Sequence, residues 1–168
     1  GVVVMLPMSA MLYRVVAALL REGLVAVFLD PSASDRHFRT CGELYPLRAF
    51  IGTPAACLLR LCRPTLRAIP RAFVDGAWFP GTHSLHAAAR HEPLAQNRDC
   101  SADAPAMIAF TSGTTGPPKG LVRSHGLMAA THDILSSVLG LRPGEVCLAT
   151  LPIFTLINLG CGATTLIP

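Results

Sequence analysis

Charged residues are scarce in this sequence, and lysine is almost absent. Only 14% of the 168 residues are charged, while 51% are hydrophobic. A disordered chain would carry more charge and less apolar surface, so a folded and rather apolar chain is predicted. Lysine and arginine total 14, and 13 of these are arginine, which leaves Lys119 as the one lysine.

The sequence also has no run or stripe of basic residues. The net charge of +4 comes from scattered arginines, and their densest group, RLCRPTLRAIPR at 60–71, fits a solvated helix-and-loop surface. Nucleic acid binding would need a basic face, preferably with aromatic residues between the charges. We therefore expect no nucleic-acid partner.

Disulfide and metal-binding patterns are missing as well. None of the six cysteines has CxxC spacing and there is no signal peptide, which favours reduced thiols in a cytoplasmic protein. The histidines of HSLHAAARH at 83–91 have no cysteine or carboxylate at ligand spacing. We therefore expect no metal site at His83, His86 or His91.

One uncharged stretch, at 146–168, is long enough to span a bilayer. Pro152, Asn158, Gly160 and Gly162 interrupt it, and its apolar residues form two β-like runs. These features favour a buried strand–helix–strand over a membrane helix. We expect no transmembrane segment.

Strand-like and helix-like segments alternate along the first 72 residues. The runs VVVMLP, LVAVFLDP and RAFIGT are typical of buried strands, and helical spacing follows each of them. Ser9 is the predicted N-cap of the first helix, and Gly23 its C-terminal stop. This order predicts an α/β fold with a parallel βαβ layer and crossover helices.

The chain is divided into three parts by this pattern. We predict a first βα subdomain at 1–72, a connecting loop at 73–105 with at most one short helix near 85–89, and the start of a second βα subdomain at 106–168. The second layer is predicted to bear a strand–loop–strand. The first residue is not methionine and both ends fall at strand-like segments, so we expect an incomplete large domain, truncated at both ends.

The stretch MIAFTSGTTGPPKGLVRSHG at 107–126 departs from the apolar pattern. Strand-like residues flank its polar centre, so we predict a loop that joins two strands, with the next helix starting near Leu127. The phosphate loop GxxxxGK[ST] instead joins a strand directly to a helix. Gly120 also stands where that loop needs Ser or Thr, so a Walker-type loop does not fit.

The composition of this loop nonetheless favours phosphate binding. Gly113 and Gly116 allow several backbone N–H groups to face one anion. Prolines at 117 and 118 stiffen the exit toward the single lysine. The alternative is a Gly/Thr-rich hairpin with a solvated lysine. Four hydroxyl groups can donate to phosphate oxygens, those of Thr111, Ser112, Thr114 and Thr115.

The segment FTSGTTGPPKG at 110–120 closely resembles the signature loop of the adenylate-forming, or AMP-binding, superfamily of acyl-CoA synthetases, luciferases and peptide-synthetase adenylation domains. Other segments agree in the same order. ALLREGLVAVFLDP resembles the family's LKAGAVPVxIDP, KGLVRSHGLM its KGVxxTHxN, and LPIFTLINLG its PLFHxxGL. Within the family, LPIFTLINLG and Arg123 are most similar to fatty-acyl ligases and the related β-lactone synthetases of olefin biosynthesis.

The resemblance implies a reaction in which a carboxylate, here that of a fatty acid, attacks the α-phosphate of ATP. The products are an acyl-adenylate and pyrophosphate with Mg2+, after which a thiol of coenzyme A or of a carrier protein takes the acyl group. Lys119 is then the candidate catalytic residue. The implied phosphate-binding residues are Thr111, Ser112, Gly113, Thr114, Thr115, Gly116 and Lys119, and the implied acyl-pocket residues are Phe154, Thr155, Asn158 and Gly160.

The chain departs from the family pattern at two points. Thr155 stands where relatives often carry His, and no segment resembles the family's YGxTE and TGD stretches or its C-terminal catalytic lysine. Lys119 cannot replace that lysine because it belongs to the phosphate loop, so the segment alone is not expected to adenylate an acid. The alternative is a truncated, non-catalytic relative that binds nucleotide weakly or serves as an interaction piece.

Overall fold

The computed structural model describes residues 1–88, 90, 92, 98–111 and 119–167, with Thr111 described by its backbone. Nine strands and seven helices lie in these ranges. In chain order they are β1 Val2–Met5, α1 Ala10–Arg21, β2 Ala26–Phe28, α2 Asp35–Leu44, β3 Ala49–Gly52, α3 Pro54–Cys62, α4 Pro64–Arg67, β4 Arg71–Val74, β5 His83–Ser84, α5 Leu85–Ala88, β6 Pro105–Thr111, β7 Lys119–Ser124, α6 His125–Leu139, β8 Val146–Leu148, α7 Pro152–Gly160 and β9 Thr164–Leu166.

Seven of the strands form one sheet in the order β5-β4-β3-β1-β2-β6-β7. Its strands are parallel except for β7, which pairs antiparallel with β6. The strands β8 and β9 form a separate parallel pair. The predicted α/β class with a mostly parallel sheet is confirmed.

The central strand β1 shows why its sequence is apolar at every position. Val2 and Val4 pack in one apolar cluster with α1, whereas Val3 and Met5 pack on the opposite face in a second cluster that includes Phe38 of α2. Successive side chains of a strand point to opposite faces of the sheet. A strand covered by helices on both faces therefore needs an uninterrupted apolar run.

Capping residues set the ends of the helices. The Ser9 hydroxyl accepts a hydrogen bond from the Leu12 backbone N–H, and Gly23, with φ +65°, follows the end of α1. Both predicted boundaries of this helix are confirmed. The helix α6 begins before the predicted Leu127 because Ser124 is its N-cap and accepts from the Leu127 N–H at 3.2 Å.

Two regions differ from the sequence prediction. The 73–105 stretch was expected to be a connection with at most one short helix, but it also contains the second half of β4 and all of β5, and these two strands extend the sheet beyond β3. The β6–β7 hairpin was assigned to the second layer, yet β6 pairs with β2 and so continues the first sheet. The chain changes sheets after α6, where β8 begins.

The C-terminal third leaves much apolar surface exposed. The helix α6 has no buried residue among those described, and its Ile134 and Val138 are 62% and 76% exposed. The predicted strand–helix–strand of 146–168 is present, but the strand residues Val146 and Leu148 are exposed rather than buried. Monomeric domains rarely leave so large an apolar area open.

The β6–β7 pair depends on one glycine. Gly120 lies opposite Phe110, and a Cβ atom built on Gly120 would lie 2.9 Å from the Phe110 ring. Phe110 is itself buried in the apolar cluster that includes Phe38. A side chain at position 120 would therefore push the ring out of its packed position.

We expect Gly120→Ala to lower the free energy of unfolding by about 1–3 kcal/mol, as is usual for overpacking. Urea denaturation followed by circular dichroism measures this change. The control is Leu121→Ala in the same strand, whose side chain is 53% exposed and should cost less. Equal stability of Gly120→Ala and the parent protein would contradict the packing described for Phe110.

Candidate functional site

The β6–β7 hairpin holds the two ends of the predicted phosphate loop side by side. Thr111 is the last residue of β6, and it pairs with Lys119, the first residue of β7. The predicted site residues Ser112, Gly113, Thr114, Thr115 and Gly116 lie outside the described residues. The prediction that this segment joins two strands is confirmed, and its phosphate-binding role stays a prediction.

Lys119 is exposed at the base of this segment. Within the described ranges its ammonium group makes no ion pair and no side-chain hydrogen bond. An exposed ammonium without a carboxylate partner keeps its charge available for an anion. Lys119 immediately follows the glycine- and threonine-rich segment in the sequence, and its role as a phosphate contact stays a prediction.

A second cation lies on the same face of β7. Side chains alternate along a strand, so Lys119 and Arg123 share one face, and Arg123 lies opposite Met107 of β6. Arg123 is half-buried, and no described carboxylate lies within ion-pair distance of it. The opposite face of the hairpin carries Ile108 and Phe110, which are buried in the core.

Hydrogen bonds fasten the end of β7 to the segment before β6. The His125 N–H donates to the Ala104 carbonyl at 3.0 Å, and the Gly126 N–H donates to the Ala102 carbonyl at 2.7 Å. Gly126 allows this approach, because a Cβ there would lie 3.0 Å from the Ala102 carbonyl oxygen. The hairpin is therefore held at its base as well as by its pairing with β2.

The four predicted acyl-pocket residues lie on α7 but do not share one environment. Thr155 and Asn158 are buried, Phe154 is half-buried and Gly160 is exposed. Asn158 donates through Nδ2 to Thr165 Oγ1 at 3.1 Å, which ties α7 to β9. Thr155 Oγ1 has no hydrogen-bond partner among the described residues, and burying an unpaired hydroxyl is costly.

Gly160 has a visible packing role. A Cβ atom at this position would lie 2.6 Å from the ring of His132 on α6. The next residue, Cys161, places its Sγ 3.5 Å from His132 Nε2. The missing side chain thus lets α6 and α7 approach each other, and the acyl-pocket role of Gly160 stays a prediction.

A cavity of about 520 Å³ opens on the α1 face of the sheet, next to the hairpin. Its walls come from the end of β1, the buried side of α1, the hairpin and the first turn of α7, and they include Leu6, Met8, Met107, Ala109, Arg123 and Leu156. None of the four predicted acyl-pocket residues lines it. Sequence reasoning singled out Arg123 but not the apolar lining residues, because these follow the same pattern as ordinary core residues.

The described residues do not assemble a metal site. No group of three His, Cys, Asp or Glu side chains in the described ranges could hold a metal ion, and His86 instead pairs with Asp75 at 3.3 Å. These residues therefore do not fit a magnesium ion by themselves.

None of the helices in the part of the chain that the structure describes is long and apolar enough to cross a membrane.

Similar proteins were found at the levels of family, sequence and fold. The sequence profile of a family described as AMP-binding enzyme matches residues 1–167. The olefin beta-lactone synthetase of Xanthomonas campestris pv. campestris is 36% identical over 172 aligned positions, which cover 99% of this chain and 30% of that protein. The chain thus spans about a third of the length of the curated relatives it matches.

Two solved structures have the same fold over nearly the whole chain. Acetoacetyl-CoA synthetase from Streptomyces lividans has a TM-score of 0.83 at 18% identity, covering 99% of this chain and 29% of that one. A malonyl-CoA ligase, solved as a ternary product complex with methylmalonyl-CoA and AMP bound, has a TM-score of 0.72 at 27% identity and covers 98% and 34%. Together with the profile match, these findings show that the chain belongs to the family of AMP-binding enzymes.

Proposed function

We propose that this chain is part of an ATP-dependent ligase that activates a carboxylic acid as an acyl-adenylate and releases pyrophosphate. The observation that carries the proposal is the position of Lys119. It is the one lysine of the sequence, it is exposed and unpaired among the described residues, and it stands at the base of the 112–118 segment, directly opposite Thr111. The family match supports the same chemistry.

In this reaction a carboxylate oxygen of the acid attacks the α-phosphorus of ATP. The bond between the α-phosphorus and the bridging oxygen breaks, and pyrophosphate leaves with the electron pair. Negative charge therefore grows on the leaving group. The residues proposed to stabilise this charge are Thr111, Ser112, Gly113, Thr114, Thr115, Gly116 and Lys119, through N–H groups, hydroxyl groups and one ammonium.

Such a site acts by holding the phosphates in position and by stabilising charge, not by exchanging a proton. The paired strands support this role, since they fix both ends of the segment against a sheet whose core is buried. Magnesium, when it accompanies ATP, neutralises phosphate charge, and its protein ligands are not assembled by the described residues. Lys119, which directly follows the segment in the sequence, is the protein charge that we assign to the leaving group.

For the acyl acceptor we propose a thiol, such as that of coenzyme A or of a carrier protein. The thiol loses its proton and its sulfur attacks the acyl carbon, the bond from that carbon to the phosphate oxygen breaks, and AMP leaves with the electron pair. The malonyl-CoA ligase with methylmalonyl-CoA and AMP bound supports this reading by analogy.

A second candidate for the acyl acceptor is supported by the olefin beta-lactone synthetase relative, which aligns over 99% of the chain. There a β-oxygen of the acid itself would attack the acyl carbon, closing a lactone ring and releasing AMP.

The proposed acid is a fatty acid and the proposed location is the cytoplasm. An apolar cavity beside the hairpin supports the former. Six unpaired cysteines support a cytoplasmic location, because thiols persist in reducing compartments.

The exposed apolar residues of α6 and β8 favour further polypeptide packed on this layer. If the complete protein bound nucleotide without activating any acid, the non-catalytic alternative would replace the ligase.

We expect Lys119→Ala in the complete protein to reduce carboxylate-dependent ATP–pyrophosphate exchange at least about tenfold, because a charged phosphate contact is lost. The matched control is Arg71→Ala, which removes an exposed cation on β4, away from the hairpin, and should leave exchange unchanged. Lys119→Arg should recover only part of the rate, since a guanidinium is not a compact charge. Exchange at the parent rate in Lys119→Ala would rule out the loop assignment.

The acceptor is identified by measuring AMP release from ATP and a fatty acid with and without coenzyme A. For a thiol acceptor we expect multiple turnovers of AMP only when coenzyme A is present, with acyl-CoA as the product by mass spectrometry. Turnover without any thiol, using a β-hydroxy acid, and a product one water lighter than that acid would favour ring closure instead.

A further inference from the structure

A cysteine, a histidine and an aspartate form a chain of polar contacts where the end of α7 packs against α6. Cys161, the C-cap of α7, places its Sγ 3.5 Å from Nε2 of His132, and Nδ1 of His132 lies 3.1 Å from Oδ1 of Asp133. A nucleophile, a base and a group that orients the base follow each other in this way in sites that activate a nucleophile. None of the three residues lines the cavity beside the hairpin.

Asp133 determines which nitrogen of the His132 ring carries the proton. A carboxylate accepts hydrogen bonds, so Nδ1 donates to Asp133. In the neutral imidazole the other nitrogen, Nε2, then has no proton, and this is the nitrogen that faces the Cys161 sulfur. The thiol of Cys161 can therefore donate its hydrogen to Nε2 and transfer the proton to it.

Glycines on both sides of Cys161 make the contact possible and leave the sulfur accessible. A Cβ atom at Gly160 would lie 2.6 Å from the His132 ring, so only glycine lets the ring approach. Gly160 and Gly162 are both exposed, and Cys161 and His132 are half-buried. No side chain from either neighbour in the sequence covers the sulfur, so a small molecule can reach it.

The other cysteines lack this arrangement. Burial raises the pKa of the Cys41 thiol to about 12 and also raises the pKa of Cys57, so both thiols stay protonated at neutral pH. Cys62 is exposed. Among the described residues, no cysteine other than Cys161 has a histidine within hydrogen-bond distance. Cys161 therefore combines partial exposure with a neighbouring base.

We propose that Cys161 and His132 form a thiol-modification site that reacts with small-molecule disulfides. The thiol proton moves to Nε2 of His132, and the Cys161 sulfur attacks one sulfur of the disulfide. A new S–S bond forms to Cys161 while the S–S bond of the reagent breaks. The departing thiolate leaves with the electron pair and takes the proton from His132. Cys161 is oxidised and the departing sulfur is reduced, so the disulfide is the only oxidant that the step needs.

This proposal does not depend on the proposed acid activation, and it is tested in the complete, folded protein. The protein is treated with glutathione disulfide, and peptide mass spectrometry follows mixed-disulfide formation at each cysteine over time. We expect His132→Gln to slow the reaction at Cys161 at least about fivefold, because less of the thiol is then ionised. The rate at the exposed Cys62 in the same sample should not change.

Two further variants separate activation from a general effect on the fold. His83→Gln is the same change at an exposed histidine on β5, and it should leave the rate at Cys161 unchanged. Asp133→Ala removes the acceptor that orients the ring, at a side chain that is 79% exposed. It should slow the reaction at Cys161, though less than His132→Gln does.

Equal rates at Cys161 in His132→Gln and in the parent protein would overturn the proposal. The absence of any adduct at Cys161 in the folded parent protein, under conditions in which Cys62 reacts, would overturn it as well. Should His132→Gln fail to fold, Asp133→Ala decides, since an unchanged rate there contradicts a base held by the carboxylate.

Discussion

The antiparallel pairing of β6 with β7 is the constraint on which the rest of the site depends. Among the described residues, the other strands of the main sheet are parallel and need crossovers to reach their neighbours, whereas this hairpin returns directly. The direct return places Thr111 opposite Lys119 and brings both ends of the glycine-rich segment together. The buried face of the hairpin, with Ile108 and Phe110, anchors it to the core and leaves the other face available for a ligand.

Local sequence patterns predicted the helix ends and the strands that are determined by neighbouring residues. The first helix was bounded correctly because Ser9 and Gly23 act on the backbone next to them. The strand β1 was recognised because burial on both faces leaves a continuous apolar run. The strand–loop–strand at 105–124 was recognised from the apolar segments that flank a polar centre.

Features that depend on contacts between segments far apart in the sequence were not predicted. The strand β5 is only two residues long and exists because β4 lies beside it, and nothing in HS distinguishes it from a loop. The hairpin was placed in the wrong layer because strand order is set by contacts between β2 and β6, far apart in sequence. Likewise, the cavity combines residues from the two ends of the chain, and Leu6, Ala109 and Leu156 read individually as ordinary core.

The sheet ends at β7 in the described part of the chain, so Lys119 also places a positive charge on an edge strand. An edge strand offers unpaired N–H and C=O groups to any other strand, and β7 adds the exposed apolar side chains Leu121 and Val122. Positive charge on such a strand repels a second copy and so opposes edge-to-edge association. Because this repulsion is screened by salt, high ionic strength would promote self-association through the strand that carries Lys119.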